Sequence, residues 1–286
     1  MDFIYKYLKY KNKYLNLQTQ KEAEDYGKTL PTILDLKGWK INQFNVEYKG
    51  ETLTFNIIKY SFEESEDKPV LFAMAGISSK SFSNSAQVIV SNIEKLRGKF
   101  SSVYMINYDP LKQYQIKACG TYDKLKAGEK SILRKDLSDK ELNVIYKDEI
   151  DLNLEIASIM NEIIIEKLGL NNVHLLGKCN GGFVATQLVT MSNIYKALYL
   201  AVPGSPIHIQ PLKKLSPERL KEIIFIFGWN NNDDYKFNFI QESRMEKDIY
   251  DYEMKQLGDI NYKSYMFPDG NGHEINKDFI DKIAGL

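Results

Sequence analysis

The feature that most constrains this chain is a series of short, almost continuously apolar runs. They read VLFAMA at 70–75, VYMINY at 103–108, VHLLG at 173–177, ALYLAV at 197–202, IIFIFG at 223–228 and YKSYMF at 262–267. Runs of this kind suit strands covered on both faces, as in a parallel sheet with helices on either side. Ahead of them, Phe44, Val46 and Tyr48 alternate with polar residues, Lys49-Gly50 supplies a turn, and Leu53, Phe55 and Ile57 alternate again. That is the pattern of an antiparallel hairpin. Two hairpin strands and six buried runs give an eight-stranded sheet.

Helical stretches separate the runs. Leu152, Ile156, Ile159 and Ile163 share one face of a helix predicted from about Glu149 to Leu168, with Gly169 to stop it. A second helix is predicted after Cys179 and a third over roughly Ile240 to Leu257. Strands and helices in this alternation predict a doubly wound, mostly parallel α/β sheet. The segment from Pro110 to Asp148 is polar, lysine-rich and weakly patterned, and reads as an insertion after the fourth strand that overhangs a site or lies solvated on the surface. The expected organisation is an N-terminal leader helix at 1–30 and one α/β domain at 31–286.

In such a sheet, ligands and catalytic groups collect at the carboxyl ends of the strands. The sequence GKCNGG places Cys179 at one of these ends, with Gly177 two residues before it and Gly181 two residues after. This is the G-x-nucleophile-x-G pattern of a strained turn that lifts a nucleophile above the sheet. The thiolate is the reactive form of such a cysteine. A small buried residue ahead of a helix would carry the same string.

A nucleophile in this setting needs an acid and then a histidine later in the chain. The chain has three histidines. His174 lies inside the strand leading to the turn and reads as a packed strand residue. His208 lies in the proline-rich connection PGSPIHIQP, with no acid between it and the turn. His273 follows the last run in FPDGNGHEI and fits the order. The acid is expected in GWNNNDDYKF, where Asp234 is preferred because Phe237 stands three positions later, and Asp233 is the alternative.

From about Gly38 to Leu286 these motifs resemble the α/β-hydrolase superfamily: the elbow GKCNGG, the acid loop NDD and the histidine loop GNGH occur in that family's order. The resemblance implies an oxyanion hole formed by the N–H groups of Asn180 and Ile77. Gly76 matches the glycine of the family's His-Gly pair, while Ala75 replaces its histidine. Cysteine at the nucleophile resembles the dienelactone-hydrolase branch. The short connection between ALYLAV and IIFIFG, with Ser216-Pro217-Glu218 opening at most a small helix, leaves no large cap. What the resemblance implies is a hydrolase of an ester, thioester or lactone, working on a small-molecule acyl substrate through Cys179, His273 and an aspartate. It implies no cofactor and no metal, and no cysteines and histidines stand at metal-ligand spacing. The alternative is a hydrolase-like scaffold without activity, retained for binding.

Other classes are disfavoured by composition. Lysine plus arginine and aspartate plus glutamate balance at 38 each, so no net field draws the protein to nucleic acid. Two cysteines, Cys119 and Cys179, do not make a disulfide framework. With no membrane span and no secretory signal in the sequence, the expectation is a soluble intracellular protein. The stretch MDFIYKYLKYKNKYLNLQ interleaves Tyr5, Tyr7, Tyr10 and Tyr14 with Lys6, Lys9, Lys11 and Lys13 at roughly helical spacing. It reads as a docking helix, and it resembles the leader on many proteins of giant amoeba-infecting DNA viruses. That resemblance implies a viral protein in the host cytoplasm or viral factory, a protein partner for the leader, and packaging in the virion.

Overall fold

A computed structural model describes residues 38–62, 67–76, 79–106, 109–111, 147–203, 206–232, 243–271 and 274–285. The leader, most of the expected insertion and Cys119 lie outside these residues. The hairpin forms as β1 (Trp39–Tyr48) and β2 (Glu51–Ser61), longer at both ends than its alternating residues suggest. β3 (Val70–Met74) is followed by α1 (Ser79–Ser91), a helical turn at Ile93–Leu96 and β4 (Ser102–Ile106). α2 (Lys147–Glu162) then runs into a wider π-helical stretch, Ile163–Lys167, before β5 (Val173–Lys178). Next come α3 (Asn180–Met191), β6 (Tyr195–Ala201), a 3₁₀ segment (Pro206–Lys214) and α4 (Pro217–Glu222). β7 (Ile224–Asn232), α5 (Ser243–Gln256), β8 (Asn261–Asn271) and α6 (Lys277–Ala284) complete the order.

The eight strands form one sheet in the order β1-β2-β4-β3-β5-β6-β7-β8. β2 is antiparallel to both β1 and β4, and every other neighbouring pair is parallel. The expected hairpin and mostly parallel sheet are therefore both present.

Period-two alternation explains the continuous apolar runs. In β6, Leu198 and Leu200 enter a core with Ile156 and Ile163, whereas Ala197, Tyr199 and Ala201 enter a second core on the opposite face. Each face is buried, so each residue of the strand must be apolar or paired. The first core contains the predicted stripe Leu152, Ile156, Ile159 and Ile163. The second is covered by Phe82, Ala86 and Ile89 of α1 and by Phe279, Ile280 and Ile283 of α6.

The elements differ from the sequence reading in three regions. α2 begins at Lys147, inside the expected insertion, and its last turn widens instead of continuing as α-helix. α1 was not foreseen, because SKSFSNSAQVIVS is rich in serine and asparagine and carries one charge. β7 and β8 continue past their apolar runs into polar residues, with Asn230 paired to Phe267 and Asn232 to Asn271. Among the described residues, the β6–β7 connection holds only the 3₁₀ segment and α4 as regular structure. No helix among the described residues is long and apolar enough to cross a membrane.

Candidate active site

β5 ends at Lys178 and α3 begins at Asn180, so Cys179 makes the turn between them. Its φ of 52° and ψ of −125° fall where an L-residue rarely sits. Close approach of strand and helix accounts for the glycines around it. A Cβ on Gly177 would stand 2.4 Å from the Gly182 Cα, and one on Gly181 would stand 2.3 Å from the Ala75 carbonyl oxygen. Only hydrogen fits at either position. Gly181 thereby packs the elbow directly against the end of β3, where the expected oxyanion loop begins.

The turn leaves Cys179 a free, partly exposed thiol between two buried neighbours. It occupies the N-cap position of α3, yet its side chain makes no capping hydrogen bond. The main chain is fixed instead. The Cys179 N–H donates to the Ala201 carbonyl at 3.4 Å, and the Cys179 carbonyl accepts from Gly182 N–H at 2.9 Å. At the neighbouring strand end, Val202 also has a positive φ, 41°, and its N–H donates to the Gly228 carbonyl at 2.8 Å. Positive φ is costly for a β-branched residue, so two constrained turns sit side by side on this edge of the sheet.

Asn180 is buried, and its side-chain amide donates to the Asn153 Oδ1 of α2 at 3.0 Å. That bond fixes the side chain at the first residue of α3. Gly76 is buried beyond the end of β3. Ile77, Asp233, Asp234 and His273 lie outside the described residues, and His208 falls within the 3₁₀ segment. The structure does describe the chain neighbours of the expected acid and base. Asn232, which precedes Asp233, pairs with Asn271, two residues before His273.

Glu274 follows His273 in sequence and is anchored by three elements. Its Oε2 lies 2.5 Å from the Nζ of Lys178, and its Oε1 accepts from the Nδ2 of Asn84 in α1 at 2.9 Å. Its carbonyl accepts from the Nδ2 of Asn230 in β7 at 2.8 Å. Lys178, Asn153, Asn230 and Glu274 were not singled out from sequence. A lysine ending an apolar strand, one residue before the cysteine, was the available signal.

His174 lies toward the other end of β5, apart from this network. It is 7% exposed, shares a 2.7 Å hydrogen bond between Nδ1 and the Tyr199 hydroxyl, and meets Phe100 edge-on. Burial, and then the charge of Lys99, hold its pKa down to about 4. Lys99 is itself held down to about 8, first by burial and then by the charge of Lys263. His174 belongs to the core, as its strand position suggests. Among the described residues no group of three or more histidine, cysteine, aspartate or glutamate side chains could hold a metal ion.

No known family model matches the sequence, and no curated protein matches it. Solved structures do match. The carboxylesterase CesB (YbfK) of Bacillus subtilis superposes with a TM-score of 0.51 at 12% identity, over 92% of this chain and 96% of that one. A cold-adapted esterase from an Arctic intertidal metagenomic library gives 0.50 at 12% identity, over 87% and 94%. This chain has an α/β-hydrolase-like fold. At that identity the likeness extends to the fold alone. Within it, Cys179 stands at the strand-to-helix turn after β5.

Proposed function

We propose that the protein hydrolyses a carboxylic ester, thioester or lactone through an acyl-cysteine intermediate on Cys179. The observation that carries this reading is the turn itself. A partly exposed thiol is held at φ 52° by glycines that admit no side chain, at the carboxyl end of a central parallel strand. Backbone strain of this kind persists where the surroundings enforce it and is concentrated at functional sites. The two solved neighbours named above are esterases, which agrees with the reaction class.

In the proposed reaction, His273 takes the thiol proton and the thiolate attacks the acyl carbonyl. Asp234, or Asp233 in its place, orients the imidazole. The N–H groups of Asn180 and Ile77 hold the oxyanion, and removing such a donor typically slows turnover by about 100 to 1,000-fold. The tetrahedral adduct collapses, and the alcohol or thiol takes the proton from His273 and departs, or, for a lactone, the ring opens and the new hydroxyl stays on the acyl group. Water, deprotonated by His273, then cleaves the thioester, releasing the acid and restoring the thiol. No cofactor enters these steps. In the same proposal, residues 1–30 form a leader that docks on a protein partner and directs the enzyme to a viral particle.

The test is intact-protein mass spectrometry after mixing with a panel of p-nitrophenyl esters, using wild type, Cys179→Ala and His273→Ala. An acyl adduct is expected on wild type, absent from Cys179→Ala and longer-lived on His273→Ala. Undiminished turnover by Cys179→Ala would sink the mechanism. Absence of adduct and turnover with every ester would favour a scaffold that binds without catalysing.

A further inference from the structure

Lys178 is 1% exposed at the end of a central strand. An ammonium so deeply buried needs a partner, because leaving it unpaired is costly by several kcal/mol. A buried ion pair is nevertheless a poor way to gain stability, since apolar residues of similar volume often serve as well or better. The choice of lysine here calls for another account, and its partner supplies one. Glu274 is the residue after the expected base, and Lys178 is the residue before the expected nucleophile.

We propose that Lys178 is a positioning residue, clamping Glu274, the residue after His273, to the strand end that leads into Cys179. This inference rests on the hydrolase reading for its catalytic consequence. The clamp is built from both sides. One carboxylate oxygen of Glu274 meets Lys178 at 2.5 Å and the other meets Asn84 at 2.9 Å, so the carboxylate cannot turn without losing a bond. Asn230 holds the main chain of the same residue and also accepts from the Nδ2 of Asn276 at 3.4 Å. β5, α1 and β7 thus converge on one residue. Proton transfer between a nucleophile and its base requires separations set to within a few tenths of an ångström. An ion pair between the chain neighbours of both groups is a direct way to impose that.

Lys178→Met keeps length and apolar volume while removing the charge. Glu274→Gln, at a less buried position, keeps an acceptor for Asn84. Both variants and the double variant would be compared with wild type by hydrogen–deuterium exchange, ester kinetics and thermal unfolding. Exchange in the 268–276 peptide is expected to rise about tenfold in either single variant, while peptides from the β1–β2 hairpin are unchanged. With the most reactive ester, kcat is expected to fall about 10 to 100-fold at nearly constant KM, as for a misplaced catalytic group. The double variant should be no slower than the worse single one, because both changes remove the same ion pair.

Wild-type exchange in the 268–276 peptide of both single variants would overturn the clamp. So would loosened exchange with unchanged kcat, which would make the pair structural only. If wild type turns over no ester, the hydrolase reading fails, and exchange decides the clamp by itself: a rise confined to 268–276 supports it and an unchanged pattern refutes it.

Discussion

At Cys179 a φ of 52° and a ψ of −125° place the Cβ in a conformation that costs an L-residue about 1–3 kcal/mol. Glycine avoids that cost but loses more freedom on folding, by about 0.5–1 kcal/mol. Cys179→Gly should therefore be more stable than Cys179→Ala by about 1 kcal/mol, with both inactive. Urea unfolding of the two variants checks this, and a Gly variant less stable than the Ala variant by about 0.5–1 kcal/mol would mean the turn is unstrained. At the same scale, the glycines flanking Cys179 were legible because a missing side chain is visible as a letter in the sequence. Lys178 was not, since a lysine at a strand end ordinarily reads as solvated. Its burial is decided by Glu274, 96 residues later, and no local pattern encodes that pairing.

Among the elements, α4 shows how much a short local signal can settle. Ser216 caps it, its hydroxyl accepting from the Arg219 N–H at 3.2 Å, and Pro217 starts the helix. The helix then delivers Arg219, nearly buried, to donate to the carbonyl of Tyr195 at 2.6 Å and that of Ser192 at 3.3 Å. Ser216→Ala should destabilise the protein by about 1 kcal/mol. Denaturant unfolding measures it, and a change near zero would mean that the cap is replaceable. α1 escaped the sequence reading although Phe82, Ala86 and Ile89 lie at i, i+4 and i+7 on its buried face. Serine and asparagine have weak helix propensity, so packing against the second core selects the helix. The added length of β7 and β8 has the same kind of cause. Polar residues past the apolar runs become strand because the ladder resumes beyond an irregularity after Asn230, where Asn232 pairs with Asn271.

At the scale of the whole molecule, the described residues form a sheet with a core on each face, and stability should record what those cores bury. His174 is protonated only near pH 4 in the folded protein, because burial and the Lys99 charge oppose it, against 6.5 for the free side chain. As pH falls the unfolded chain takes up this proton first, so stability is full above about pH 6.5 and declines as pH falls toward 4. The loss at pH 5 should be about 2 kcal/mol relative to pH 7. Urea unfolding of wild type and His174→Gln at both pH values checks it; equal losses in the two proteins would exclude His174 as the source. The fold class was already determined by the sequence, because two covered faces demand runs of apolar residues and an antiparallel hairpin demands alternation, and both are local patterns. The elbow was legible for a similar reason, as glycine at a fixed spacing is the direct record of a turn with no room for a side chain. Only the tertiary structure decided which buried polar groups meet: Lys178 with Glu274, Asn180 with Asn153, Asn230 with the chain beyond β8. Each of those contacts joins residues far apart in sequence, and their partners are fixed by strand order and helix docking, which no single segment contains.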